Sequence, residues 1–229
     1  MSQPNIRQII KQELVKCAKD PKYFMKKYCV VQHPMRGKVP FHLYPYQEKC
    51  VDTFSQDDKY CVILKSRQLG LSTLSAGYAL WLMTFHSDKN ILVIATKQET
   101  AKNLVAKVRV MHNELPSWLK NKCVEDNKLS LKYENGSQIK AVSSNSDSAR
   151  SEALSLLIID EAAFIDKIDE IWTSAQQTLA TGGRAIMLST PNGVGNLFHR
   201  TWVEAENGSD DWNFIRLPWD LHPERNQDW

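Results

Sequence analysis

Apolar and polar positions along the chain follow two different periods. Near the N-terminus, Ile6, Ile9, Ile10, Leu14, Val15, Phe24 and Met25 recur at helical spacing, interrupted at "KDP" around Pro21. Two short helices are therefore predicted over residues 5–28. Prolines at 34, 40 and 45 and a glycine at 37 follow, so Met35 to Tyr44 reads as a loop or short strand, with a helix from Gln47. From Tyr60 the pattern alternates: strand "YCVILK", helix Ser72 to Phe85, strand "NILVIAT", helix Gln98 to Asn113. The apolar strand runs are unbroken, as expected of parallel strands covered on both faces. In "LSLKYENGSQIKAVSS" the dipeptide Asn135-Gly136 separates two alternating segments and predicts a hairpin inserted at the sheet edge. Strand "LSLLIIDE", a helix from Ile168 to Ala180, strand "RAIMLSTP", a helix from Asn196 to Glu206 and strand "WNFIRLPW" complete an α/β pattern.

Composition narrows the class without naming a partner. With 229 residues, 42% hydrophobic and 24% charged, the chain can bury a full core in one domain. A net charge of +3 is too small to argue for a polyanion partner by itself. The five cysteines lie far apart, with no CxxC pair and no histidine at zinc-ligand spacing, so a reduced, intracellular chain without a metal knuckle is expected. No segment reaches the roughly 18 apolar residues of a membrane span, and the N-terminus lacks a signal-peptide pattern.

The candidate chemistry begins at "VILKSRQLGLSTLSA". A strand, a turn ending in Gly70 and a helix opening at Leu71-Ser72-Thr73 present backbone N–H groups and a helix N-terminus to an anion. Ser66, Arg67, Gln68 and Leu69 fill the loop, and Ser72 is placed to reach Mg²⁺ beside ATP phosphates. In the usual pattern G-x-x-x-x-G-K-[ST] a lysine follows the second glycine; here Leu71 stands there and Lys65 occupies the first glycine position. The missing charge is assigned to Lys65 and Arg67, and a lysine placed at 71 is expected to compensate for loss of either. Asp160-Glu161 ends a buried strand, where two adjacent carboxylates are costly without a cation or substrate. Asp160 is assigned to the Mg²⁺ shell and Glu161 to the attacking water. Ser189-Thr190, ending the strand of "IMLSTPNGVG", is the candidate for sensing the γ-phosphate and coupling its loss to a neighbouring segment.

In this order, "KSRQLGLST", "LLIIDEAAF" and "LSTPNG", with "YPYQ" upstream, resemble the ATPase domain of the large terminase subunit of tailed bacteriophages, over about residues 40–220. The resemblance implies an ASCE-type P-loop NTPase with a central, mainly parallel β-sheet between helices, and a domain spanning 41–229 behind an N-terminal helical segment, 1–40. It implies that Gln47 reads the adenine edge, with Tyr46 or Tyr44 packed beside it. It implies an arginine finger supplied in trans, for which Arg150 is favoured and Arg184 is the alternative. It also implies a virus-encoded protein of the host cytoplasm that hydrolyses ATP to drive double-stranded DNA into a procapsid. The expected partners are the portal protein, the small terminase subunit and copies of itself in a ring, with no membrane. The nuclease that continues the family's large subunits is not expected here, because no further carboxylate cluster follows "LPWDLHPERNQDW". Two other readings compete: a helicase-like or remodelling ATPase, which calls for a second RecA-like half, and a nucleotide-binding module without turnover.

Overall fold

The computed structural model of the chain describes residues 5–56, 60–142, 144, 153–208 and 211–225. Helices α1 (Ile6–Lys19) and α2 (Pro21–Tyr28) form where the spacing predicts them. Asn5 caps α1 by accepting the Arg7 N–H, and Asp20 caps α2 by accepting those of Lys22 and Tyr23, with Pro21 at the first helical position. A hairpin of β1 (Val30–His33) and β2 (Gly37–Pro40) leads to α3 (Pro45–Phe54).

The main body is one eight-stranded sheet. Its strands are β3 (Tyr60–Lys65), β4 (Asn90–Ala95), β5 (Cys123–Asp126), β6 (Ser130–Tyr133), β7 (Gln138–Val142), β8 (Leu156–Asp160), β9 (Arg184–Ser189) and β10 (Trp212–Leu217). They lie in the order β10-β3-β9-β8-β4-β7-β6-β5, with β10 through β7 parallel and β6 and β5 antiparallel. Helices α4 (Leu71–Phe85), α5 (Gln98–Glu114), α6 (Ile168–Leu179) and α7 (Leu197–Glu206) connect the parallel strands.

Side-chain alternation divides the core into two layers. Ile63, Ile158 and Ile186 face one side with Leu74, Tyr78 and Val105 of α4 and α5, and Phe24 of α2 joins the same cluster. Val62, Ile159 and Met187 face the other with Trp172 of α6 and Trp202 of α7. Burial on both faces is why the strand runs are continuously apolar. It also sets the site. The chain leaves β3 toward α4 on one face but leaves β8 and β9 toward α6 and α7 on the other, opening a crevice at their carboxyl ends.

The Asn135-Gly136 hairpin forms, with Gly136 at φ 83° and the Asn135 amide donating to the Met83 carbonyl at the end of α4. Its second strand is not an edge insertion. β7 pairs in parallel with β4 along its whole length, and the edge is made by β5 and β6. Among the described residues, no helix is long and apolar enough to cross a membrane.

The two N-terminal helices are joined by one carboxylate. Glu13 of α1 accepts from the Tyr23 hydroxyl at 2.6 Å, the Lys27 ammonium at 2.6 Å and the Tyr28 hydroxyl at 2.8 Å. The Lys27 bond, then that of Tyr23, holds the Glu13 carboxyl down from its ordinary 4.5 to about 2. A depressed carboxyl pKa contributes stability that is present above pH 4.5 and is lost as pH falls toward 2. Glu13→Gln is therefore predicted to lower the thermal midpoint at neutral pH, by a difference from the parent that closes between pH 4.5 and 2. A difference independent of pH across that window would show that the cluster carries no charge-linked stability.

Candidate phosphate and metal site

The chain between β3 and α4 turns through two left-handed residues, Gln68 at φ 60° and Gly70 at φ 73°. Glycine suits the second, where φ is positive and a Cβ, 2.7 Å from Gln47 Nε2, would push that amide from its place. Leu69 and Leu71 are each 2% exposed and pack into the core on either side of Gly70. These two anchors fix the loop. They also show that the position usually given to lysine points inward, so Leu69 and Leu71 offer a ligand only their backbone. A lysine at 71 would bury its ammonium rather than deliver it to phosphates, which corrects the expectation of compensation.

Across the crevice, β8 ends in Asp160, which is 5% exposed. Its Oδ2 accepts from Ser72 Oγ at 2.6 Å, tying the start of α4 to β8. Its Oδ1 is buried without a hydrogen-bond partner. Burial pushes the Asp160 carboxyl above its ordinary range, opposed by the Ser72 hydroxyl and the Lys65 charge. A buried carboxylate with one oxygen held by a hydroxyl and the other unspent fits a hard divalent cation. Among the described residues no cluster of three or more metal-ligating side chains occurs. Ser72 and Asp160 are the residues that would hold such a cation.

Glu161 follows in a left-handed conformation, φ 54° and ψ 44°, before a 3₁₀ turn over Ala162–Phe164. For a non-glycine residue this costs about 1 kcal/mol or more. The strained backbone aims the carboxylate at the neighbouring strands: Oε1 accepts from Lys65 Nζ at 2.7 Å, and Oε2 from the Thr190 N–H at 3.3 Å and hydroxyl at 3.4 Å. Ser189 Oγ accepts the Ala163 N–H at 3.1 Å, and Asn192 Nδ2 donates to the Ala163 carbonyl at 3.0 Å. Ser189, Thr190 and Asn192 thus clasp the turn that carries Glu161. Arg67 is exposed and lines, with Thr96, Glu161, Phe164 and Thr190, an open cleft of about 400 Å³. Lys65 thus bonds Glu161 directly, and Arg67 lines the same cleft.

Gln47, Tyr46 and Tyr44 lie behind the loop. Gln47 is 3% exposed; its Oε1 accepts the Tyr44 N–H at 3.1 Å, and its Nε2 donates to the Leu69 carbonyl at 3.1 Å. Tyr46 donates to the same carbonyl at 3.2 Å, and its ring stacks on Tyr44. Thr73, half-buried beside Ser72, borders a cavity of about 610 Å³ between the β1 hairpin and α5. Arg184 starts β9, at the end of the strand opposite Ser189, and donates to the Phe54 carbonyl at 2.9 Å. Arg184 therefore does not serve this chain's own phosphate end; a finger acting in trans would reach a neighbour's. Arg150 lies outside the described residues.

Residues given no role from the sequence are Asn192 and Phe164, present only as members of the quoted stretches "LSTPNG" and "LLIIDEAAF", and Thr96, which lies in no motif. Lys107 of α5 is another. Burial lowers the pKa of its ammonium, and the charge of nearby Asp160 opposes that shift.

A parallel sheet with a phosphate-type loop after one strand, and a hydroxyl–carboxylate pair bridging to the next strand but one, defines a P-loop α/β protein. Residues 62–227 match the family described as terminase large subunit, T4likevirus-type, N-terminal, and the chain belongs to that family. It is 28% identical over 184 residues to "Probable terminase, large subunit gp28" of Escherichia phage Mu, covering 73% of this chain and 33% of the relative. It is 25% identical over 174 residues to "Mu-like prophage FluMu protein gp28" of Haemophilus influenzae, covering 71% and 34%. The chain spans about a third of the length of these relatives. Among solved structures, the HK97 bacteriophage large terminase superposes with a TM-score of 0.69 at 20% identity, over 91% of this chain and 45% of that one. The ATPase domain of the Thermus phage P74-26 large terminase gives 0.66 at 21% identity, over 81% and 85%. The expected fold class is that of these structures.

The buried setting of Leu71 yields a prediction. Leu71→Lys should cost about 3 kcal/mol or more of folding stability, as for an unpaired charge in a core. Denaturant unfolding checks it, and a midpoint equal to the parent's would mean that the side chain escapes to solvent.

Proposed function

We propose that the chain is the ATP-hydrolysing motor region of a phage DNA-packaging large terminase subunit. The observation that carries this reading is the arrangement at the ends of β3, β8 and β9. Ser72 meets Asp160 at 2.6 Å, and Glu161 stands beside Lys65 and Thr190 at the mouth of the cleft. Backbone N–H groups of residues 67–73 and the N-terminus of α4 would receive the phosphates. Mg²⁺, held by Ser72 and Asp160, would neutralise charge on the phosphate oxygens. Glu161 would orient the attacking water and accept its proton.

The Lys65–Glu161 pair gives the site an order of events. A triphosphate competes for the Lys65 ammonium, and its withdrawal leaves Glu161 held through Oε2 by Thr190 alone among the contacts described above. Cation delivery and release of the base thereby become one step. Arg67, exposed on the cleft, supplies the forked second cation. Ser189 and Thr190 would sense loss of the γ-phosphate through the same clasp. In a ring of copies on the procapsid portal, a neighbour would add an arginine in trans, with Arg150 favoured, while double-stranded DNA and the small terminase subunit complete the machine. Residues 1–40 would serve as an accessory element of the ATPase region 41–229, since Cys17, Phe24 and Met25 share its core.

Steady-state phosphate release and equilibrium MgATP binding, with and without double-stranded DNA, test this. Glu161→Gln is predicted to bind nucleotide as the parent does while losing turnover by about 10² or more. Lys65→Ala and Arg67→Ala are each predicted to lower turnover by about tenfold or more. Unchanged turnover in Glu161→Gln would remove it as the base, and nucleotide binding without turnover in the parent would favour a binding module instead.

A further inference from the structure

A phosphate loop can aim its N–H groups at a ligand only if its carbonyls are held facing away. Here the carbonyls of Arg67, Gln68 and Leu69 all meet donors from outside the loop. Leu69 is held by Tyr46 and Gln47 of α3 at 3.2 and 3.1 Å. The other two are held by Arg225, whose Nη2 donates to the Arg67 carbonyl at 2.8 Å and to that of Gln68 at 3.3 Å.

Sheet topology brings Arg225 there. β10 runs parallel to β3 with Leu217 opposite Lys65, and the Ser66 N–H donates to the Leu217 carbonyl at 2.9 Å. The chain therefore leaves the sheet alongside the phosphate loop. A 3₁₀ turn over Trp219–Leu221 and a further turn closed by the Arg225 N–H on the His222 carbonyl, 3.0 Å, fold it back. Nη1 of Arg225 donates to the Trp219 carbonyl at 3.2 Å, which fixes the fork of the guanidinium. The His222 ring packs on Tyr44 with centroids 5.0 Å apart, and Tyr44 stacks on Tyr46 at 5.6 Å. Segment 218–225 and α3 thus form one brace behind the loop.

We propose that Arg225 is a positioning residue for nucleotide binding, and that through it the conformation of segment 218–225 is coupled to occupancy of the phosphate loop. The inference rests on reading that loop as the ATP site. The guanidinium holds two consecutive peptides in the orientation phosphate requires, so it acts through the loop and not on the ligand. Coupling of this kind is reciprocal: a nucleotide that needs the peptides so oriented must also favour the docked segment, by the same factor. The effect belongs to binding, since Arg225 contacts neither Glu161 nor Ser72 among the bonds that place it.

Steady-state ATP hydrolysis and amide hydrogen exchange with saturating MgADP test the proposal. Arg225→Ala is expected to raise KM for ATP by about tenfold, the loss of charge-assisted hydrogen bonds to carbonyls, with kcat within about threefold of the parent. Arg225→Lys, which reaches one carbonyl with a point charge, should recover part of that loss. MgADP should slow exchange across 219–225 in the parent and not in Arg225→Ala. A KM within about twofold of the parent, or equal MgADP protection in both chains, would overturn the proposal while leaving the ATPase reading intact. A parental chain that binds no MgADP would overturn that reading and this inference with it.

Discussion

Two carboxylates at the end of a buried strand set the terms for everything near them. Asp160 and Glu161 cannot stand charged at the mouth of a dry sheet without compensation. The fold supplies it through the Ser72 hydroxyl at the start of α4 and the Lys65 ammonium at the end of β3. Both partners come from the same strand–loop–helix unit, so the loop is pinned to the end of β8 through Ser72 and Lys65. The order β3-β9-β8 then has a purpose: β9 lies between the pinned strands, and Ser189 and Thr190 at its end reach the turn carrying Glu161.

The missing lysine is explained by the same geometry. A cation after Gly70 would have to occupy a position that the core claims, since Leu69 and Leu71 anchor the loop by burial. With that slot committed to packing, the cation set beside the carboxylates is Lys65 at the end of β3, 7% exposed and held by Glu161. The constraint on such a loop is where the ammonium ends, not the sequence position from which it sets out.

What the sequence made legible follows from burial. β3, β4, β8 and β9 are covered on both faces, so they read as continuous apolar runs, and the chemistry at their ends could be placed by counting to the first polar residue. β1, β2 and β5 are four-residue, largely exposed strands of short hairpins, and segments that short carry too little local period to be read. The setting of Arg184 was hidden for a related reason: Gly-Gly-Arg resembles an exposed turn, but the arginine opens β9 and donates to the Phe54 carbonyl and the Tyr78 hydroxyl.

The brace behind the loop was the least legible part, because side chains holding backbone carbonyls leave no motif. Only the family resemblance suggests a role for Gln47 beside the base. In the structure its amide spans the Tyr44 N–H and the Leu69 carbonyl, so it both caps α3 and steadies the phosphate loop. Arg225 does the same work from the other side, with its chain delivered by β10. Neither contact depends on what the side chains would do alone; each depends on a parallel register that sets two chain ends side by side. A change in the segment after β10 therefore bears on the loop through peptide orientation, over a few ångströms and without altering any residue that faces the phosphates.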